Sequence, residues 1–256
     1  MQFASPATAR TYSDREVDSS WRDWAVENLM PAGKDVIDIG CGGGIYSFAF
    51  AALGARSVIG IDQSRQYIDE AKQRVSPSDA ITFCSGTAED TQLPEGSADI
   101  VFERAVIHHM TEEQKARNAA GARRLLRDGG LFAVQDRTIE DVQSSDPQHW
   151  IRATLLDAFP RLLDSERRRR PSKERYRNLL IGAGFGEVQE LQYDEVRQRY
   201  VSFDQLRSEI LLRKGKSILF ELSDAELELY CRRLEEKVTD RPLIERDPWT
   251  VWLATK

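Results

Sequence analysis

Short apolar runs rich in β-forming residues alternate with segments of helical period over the first 140 residues. Val36, Ile37 and Ile39, then Ser57 to Ile61, Ile81 to Cys84, Ala98 to Glu103 and Leu131 to Gln135 read as five buried strands. Between them Ile45 to Leu53, Ser64 to Val75 and Glu112 to Leu126 read as helices, an alternation that predicts a doubly wound parallel sheet. From Ser145 the pattern turns helical. Ser145 with Gln148 makes a capping box, Pro147 sits near a first-turn position, and Ile151, Leu155, Ala158/Phe159 and Leu162 share a face. Ser172 to Ala183 predicts a helix ended by glycines, and Glu187 to Tyr193 a sixth strand. Two helices follow, capped by Ser202/Gln205 and Ser223/Glu226, with apolar faces Phe203, Leu206, Ile210 and Leu227, Tyr230, Leu234, Val238. TVWLAT at 250–255 is a closing strand. The first 30 residues contribute a helix that repeats Trp21, Trp24/Ala25 and Asn28/Leu29.

The run VIDIGCGGG, Val36 to Gly44, sits where the first strand meets the first helix. Glycine has no Cβ and accepts φ > 0, so backbone can approach a ligand there. Strand, glycine turn and helix N-terminus together make a nucleotide cradle in an open α/β sheet. The dinucleotide fingerprint G-x-G-x-x-G needs a glycine at position 45, which is Ile45, and the phosphate loop needs a Lys that is absent. What remains is a carboxylate followed by alternating glycines: Asp38, Gly40, Gly42 and Gly44. A carboxylate repels a pyrophosphate and suits a ligand carrying an ammonium and a sulfonium. Asp62, 22 residues past Gly40, ends the second strand at the distance where an acidic residue accepts from ribose hydroxyls, although helix N-capping is another use of Asp there.

This arrangement resembles motif I of the class I S-adenosylmethionine-dependent methyltransferases. The segment GTAEDTQLPEGSADIV, Gly86 to Val101, is similar to that family's motif after the third strand, with Thr87 where the family usually has Asp. The resemblance implies S-adenosylmethionine as cofactor. Asp38 and the glycine loop would hold its methionine moiety, Asp62 with Gln63 its ribose, and Ala88 with Thr87, Glu89 or Asp90 its adenine. Arg104 is a further cofactor contact, and Tyr12 or Arg15 from the N-terminal segment would close over the carboxylate. The resemblance also implies a seven-stranded Rossmann-like sheet with the last strand antiparallel. The expected organisation is one domain over 1–256: an N-terminal helical arm at 1–30 and a cofactor-binding half at 31–140. Helical lid insertions at 141–170 and 202–238 alternate with closing strands at 171–201 and 239–256.

Composition narrows the class. Hydrophobic residues make up 41% of 256 and no apolar run reaches membrane-spanning length, so a globular domain away from membranes is expected. Three cysteines without CxxC spacing point to a reducing cytoplasm and to no structural metal. The first 140 residues carry 15 basic and 21 acidic side chains, which suits a cationic cofactor. Arg161 to Arg177 holds eight Lys or Arg against three acids, including Arg167 to Arg170. Such a run can meet RNA, or it can be a solvated helix end, and no aromatic platform accompanies it.

The sulfonium methyl is already activated, so the protein aligns a nucleophile in line with it and removes the acceptor's proton where there is one. The polar residues after the fourth and fifth strands are Glu103, Arg104, His108, His109, Asp136 and Arg137. His108 and His109 are the candidate bases, because imidazole titrates near neutral pH, and packing under the cofactor is the other use for them. The expected function is methyl transfer by in-line displacement to a small-molecule acceptor, in a monomer or homodimer. An RNA-modifying methyltransferase and a non-catalytic S-adenosylmethionine-binding regulator are the alternatives.

Overall fold

Five strands of the first half, β1 (Asp35–Ile39), β2 (Ser57–Asp62), β3 (Ile81–Ser85), β4 (Ala98–Arg104) and β5 (Leu126–Asp136), pair in parallel. The final strand β7 (Leu243–Thr255) inserts antiparallel between β5 and β6 (Glu187–Tyr200), giving the order β3-β2-β1-β4-β5-β7-β6. The structure is a computed structural model that describes residues 17–77, 80–87, 89, 91–238 and 243–256. The chain moves outward from β1 to β3 and then returns to β4 on the other side. The carboxyl ends of β1 and β4 therefore flank a topological switch point, where open α/β sheets bind ligands.

Helices cover both faces: α1 (Ser19–Asn28), α2 (Ile45–Ala52), α3 (Arg65–Gln73), α4 (Glu112–Leu125) and α8 (Lys173–Gly182). Alternation along β1 divides the core. Val36 joins Trp21, Phe50, Phe102 and Trp249 on one face, while Ile37 and Ile39 join Phe132, Val134, Tyr176 and Trp252 on the other. Trp21 anchors the N-terminal helix. It is fully buried, its indole N–H donates to Gln135 Oε1 at 3.1 Å, and its ring meets Tyr46, Phe50 and Phe102 edge-on.

The remaining helices are a short α5 (Ile139–Val142), then α6 (Trp150–Ala158), α7 (Arg161–Arg169), α9 (Phe203–Leu211) and α10 (Asp224–Glu235). Those after α5 share a third apolar cluster in which Ile151, Leu155 and Leu162 meet Leu206, Ile210, Leu227 and Leu234. The two helical segments that the sequence separates thus pack as one body, joined to the sheet through Tyr200 at the end of β6.

Several boundaries differ from the sequence reading. Strands β6 and β7 run to Tyr200 and from Leu243, a long antiparallel ribbon beyond the sheet edge, where Tyr193 and Thr250 were the expected limits. Glu195, Arg197, Glu245 and Asp247 in this extension form ion pairs, which breaks the apolar alternation that would mark a strand. Strand β5 begins at Leu126, with Asp128 to Gly130 bulged between the pairs Ala98–Leu126 and Ile100–Leu131. Asp146, not Ser145, caps the turn at Pro147–His149 by accepting from the Gln148 amide at 2.8 Å. Phe159 and Pro160 then interrupt the helical stretch.

Truncating Trp21 to Ala removes both the aromatic contacts and the Gln135 bond. We expect about 3–5 kcal/mol of destabilisation in denaturant unfolding, and less than half of that for the half-buried Trp24→Ala. Equal losses at the two positions would contradict the anchor role.

Candidate active site

At the end of β1 the backbone turns through Gly40, Gly42 and Gly44, all at positive φ (73°, 53° and 82°). A Cβ on Gly40 would lie 2.4 Å from a Val106 methyl, and one on Gly44 would lie 2.5 Å from the Phe83 ring. Gly60 on β2 faces the same ring, also at 2.5 Å, so Phe83 occupies a slot that only glycines leave open. Gly42 is different. Nothing stands within 4 Å of its missing Cβ, and this is the open face of the loop.

The loop amides are largely spent within the protein. Gly40 and Cys41 donate to the Ile61 carbonyl at 2.7 and 3.0 Å, Gly44 donates to the Cys41 carbonyl at 2.9 Å, and Gly42 donates to Asp62 Oδ2 at 2.9 Å. The expectation that the loop supplies donors therefore changes for these four groups; their glycines supply shape. No side chain caps α2, whose N-cap is Gly44.

Two carboxylates border the loop. Asp38 is 2% exposed and accepts from the Ser47 hydroxyl at 2.6 Å. Burial pushes its carboxyl up to about 7, with the nearby Asp62 charge adding to the rise and the Ser47 bond opposing it. Asp62 accepts from the amides of Gly42 and Ser64, at 2.9 and 2.8 Å. Ser64 itself caps α3, so Asp62 is not needed as the cap. Two of the carboxylate's roughly four acceptor positions are used, leaving room for a pair of hydroxyls. Gln63 and Thr87 are exposed beside it, and Glu89 is half-buried. Tyr12, Arg15, Ala88 and Asp90 lie outside the described residues. Cys41 is buried, and desolvation together with Asp38 and Asp62 drives its thiol pKa up, so it stays protonated.

Beyond β4 and β5 the polar candidates separate into distinct environments. His108 places Nδ1 3.0 Å from both oxygens of the fully buried Asp136. Burial alone would raise the Asp136 carboxyl, but the His108 ring, Arg170 at 3.2 Å and the Arg137 amide at 2.7 Å hold it well below the carboxylate range. An ionised carboxylate only accepts, so Nδ1 carries the proton and Nε2 keeps its lone pair. Burial lowers the His108 pKa and keeps the ring neutral. His109 is exposed, with its ring centre 4.0 Å from that of His108, and desolvation and His108 bring it down to about 3. Glu103 is fully buried, pushed up to about 8 by desolvation, and receives the Asn118 amide at 3.0 Å.

Arg104 is paired within the protein. Its guanidinium lies 2.5 Å from Glu195 and 4.3 Å from the Trp249 ring centre. The Arg137 guanidinium lies 4.0 Å from the same ring and binds Asp247. The arginine run divides. Arg167 and Arg168 are exposed near Asp164 and Ser165, whereas Arg169 and Arg170 both bind the buried Glu166, and Arg170 also reaches Asp136. The solvated-face reading fails for Arg170, which is 8% exposed. Sequence reasoning missed Arg152, Arg197, Lys216, Glu245 and Asp247, which surround the start of β7. Alternating charges in an otherwise strand-like segment were the available signal.

Residues 37–134 match the family described as a methyltransferase domain. An uncharacterised methyltransferase of Synechocystis is 32% identical over 169 residues, covering 66% of this chain and 74% of the relative. Among solved structures, a protein named as a methyltransferase of an antibiotic biosynthesis pathway in Anabaena variabilis superposes with a TM-score of 0.74. It is 22% identical, over 95% of this chain and all of that one. A phosphoethanolamine N-methyltransferase of Haemonchus contortus, solved with phosphomonomethylethanolamine and S-adenosylhomocysteine, gives a TM-score of 0.60. It is 16% identical, over the whole of this chain and 59% of that one. Further relatives carry hydroquinone, ribosomal-protein arginine and tRNA U34 names, each matched over half or less of its own length.

Asp38 gives a pH signature. A ligand ammonium at this site needs the ionised carboxylate, which is present above about 7 and lost as pH falls through that value. The S-adenosylhomocysteine dissociation constant should rise by up to about tenfold per unit below pH 7 in calorimetric titration, and Asp38→Asn should flatten the profile. A flat wild-type profile from pH 5.5 to 7.5 would exclude Asp38 as the ammonium partner.

Proposed function

The chain belongs to the class I S-adenosylmethionine-dependent methyltransferases. On that footing we propose that it methylates a small-molecule acceptor between the carboxyl ends of the sheet strands and the two inserted helical segments. The residues present fit the cofactor. Gly42 leaves open space, Asp62 keeps two acceptor positions for the ribose hydroxyls, and Asp38 offers a buried carboxyl to an ammonium. Asp38 then holds the methionine moiety, Asp62 with Gln63 the ribose, and Thr87 with Glu89 the adenine side, while Arg104 borders them from the end of β4. The cofactor supplies a methyl group on a positively charged sulfur.

The observation that carries the choice of acceptor is the fate of the arginine run. Arg169 and Arg170 are turned inward onto Glu166 and Asp136. A phosphate backbone is read by exposed cations, and two of the four are spent inside. Residues 141–170 and 202–238, joined in one apolar cluster, act in this reading as the lid that excludes water. Three free cysteines fit a reducing cytoplasm. No helix among the described residues is long and apolar enough to cross a membrane.

His108 is the proposed base. Asp136 fixes its tautomer and orientation, leaving Nε2 to take the acceptor's proton as the acceptor lone pair bonds to the methyl carbon. The cofactor would supply the methyl carbon, its sulfur keeping the bonding pair as a neutral thioether. His109, exposed and held neutral, serves as the outer ring against which His108 packs.

A labelled-methyl assay across a metabolite panel tests the reading. Turnover should appear with at least one small acceptor, and transfer only to RNA would overturn it. With that acceptor, His108→Gln and Asp136→Asn should each lower kcat by about 10²–10⁴-fold while S-adenosylhomocysteine affinity stays within twofold. Because His108 is neutral down to a pKa below 6.5, kcat/KM for the acceptor, with S-adenosylmethionine saturating at every pH, should fall only as pH drops beneath that value.

A further inference from the structure

The helix that ends in the arginine run is joined to His108 by a row of buried charges. Arg170 caps the C-terminus of α7, and its guanidinium meets three groups at once. Nε donates to Glu166, and Nη1 lies 3.2 Å from both Asp136 Oδ1 and the Arg137 carbonyl. Asp136 in turn holds His108, through Nδ1 at 3.0 Å and through the His108 amide at 3.3 Å. Glu166 and Asp136 are fully buried and Arg170 is 8% exposed, so little water screens the row. The backbone follows the same route. The Ile139 amide donates to the Pro171 carbonyl at 3.3 Å, tying the segment after α7 to the segment after β5.

The charges in the row balance without His108. Glu166 and Asp136 are negative, while Arg170 and Arg169, which also binds Glu166, are positive. His109 is neutral beside His108. Burial pushes Glu103 of β4 up to about 8 and Tyr176 of α8 well above the usual phenol range, so both are uncharged at pH 7. Farther from His108, Arg170 also faces Asp141, Asp247 and Arg152, and the Arg137 guanidinium is turned onto Asp247. The consequence is chemical. A fully buried carboxylate needs a cation beside it. With Arg170 in place that cation is permanent, because a guanidinium keeps its proton. His108 then stays neutral. Without Arg170 the imidazole would become the counterion of Asp136, and an imidazolium accepts no proton.

We propose that Arg170 is the positioning residue of the base: clamped by Glu166 at the end of α7, it serves as the counterion of Asp136 and so keeps His108 unprotonated. This rests on the reading of His108 as the base. It makes docking of the inserted helices a condition of catalysis, since α7 carries Leu162 in their shared apolar cluster and Glu166 and Arg170 toward its other end.

The test follows the imidazole directly. The chain has three histidines, so histidine-labelled full-length protein gives few ring signals, and the one lost in His108→Gln is that of His108. In an NMR titration, Arg170→Gln should raise the pH at which His108 is half protonated. With S-adenosylmethionine saturating, kcat/KM for the acceptor should then fall about tenfold more at pH 6 than at pH 8. Arg170→Lys, which restores the charge, should bring the midpoint back toward wild type. Glu166→Gln should move it the other way, because Arg169 and Arg170 then face Asp136 without their own counterion. An unmoved midpoint in Arg170→Gln overturns the proposal. So does a rise in both Arg170→Gln and Glu166→Gln, which general loosening of the fold would give. If Arg170→Gln does not fold, Glu166→Gln decides alone, and a midpoint unchanged or raised there overturns it. Full turnover in His108→Gln overturns instead the reading of His108 as the base, which the midpoints do not touch.

Discussion

The hydrogen bond from the Gly42 amide to Asp62 Oδ2, at 2.9 Å, ties the loop leaving β1 to the end of β2. With the bonds from Gly40 and Cys41 to the Ile61 carbonyl, it folds the glycine turn back over the neighbouring strand. The consequences spread outward. The turn stays open at Gly42, Phe83 fills the slot left by Gly44 and Gly60, and Asp62 is oriented with two acceptor positions to spare. The glycines therefore act mainly through the side chains they lack. A surface built from carboxylates, with most loop donors already used, favours a ligand that is cationic and rich in hydroxyls.

Around the loop, Asp38 and Glu103 are buried carboxyls whose pKa values rise to about 7 and 8. Toward the inserted helices Arg137, Arg152 and Arg197 pair with Asp247, and Lys216 pairs with Glu245. Between these ends His108 leans on Asp136, which Arg170 keeps ionised. A site for a cationic donor at the loop and a neutral base beyond it is the arrangement the proposed reaction needs.

Much of this was legible because it lies in local pattern. The parallel strands are continuous β-branched runs, the glycine spacing excludes dinucleotide and triphosphate loops, and Asp62 falls at a telling distance. The inserted helices were legible from their apolar periods, and Ser202 and Ser223 cap two of them as their side chains predict. What stayed hidden depends on partners far away in sequence. Arg170 reads as one of four solvated arginines until Asp136, 34 residues earlier, meets it. The outer half of the β6–β7 ribbon reads as loop because Glu195, Arg197, Glu245 and Asp247 serve in ion pairs with residues of other elements. Gly60 looks like an ordinary strand glycine until the Phe83 ring comes against it.

Calorimetric titration of S-adenosylhomocysteine into wild type and Asp62→Ala tests the central assignment most directly. Removing the carboxylate deletes two charge-assisted bonds to the ribose, each worth about 1.5–3 kcal/mol, and releases the Gly42 amide. The predicted result is a dissociation constant raised at least tenfold in a protein that still unfolds cooperatively. An unchanged dissociation constant would contradict the assignment of Asp62 and of the cradle it holds in place.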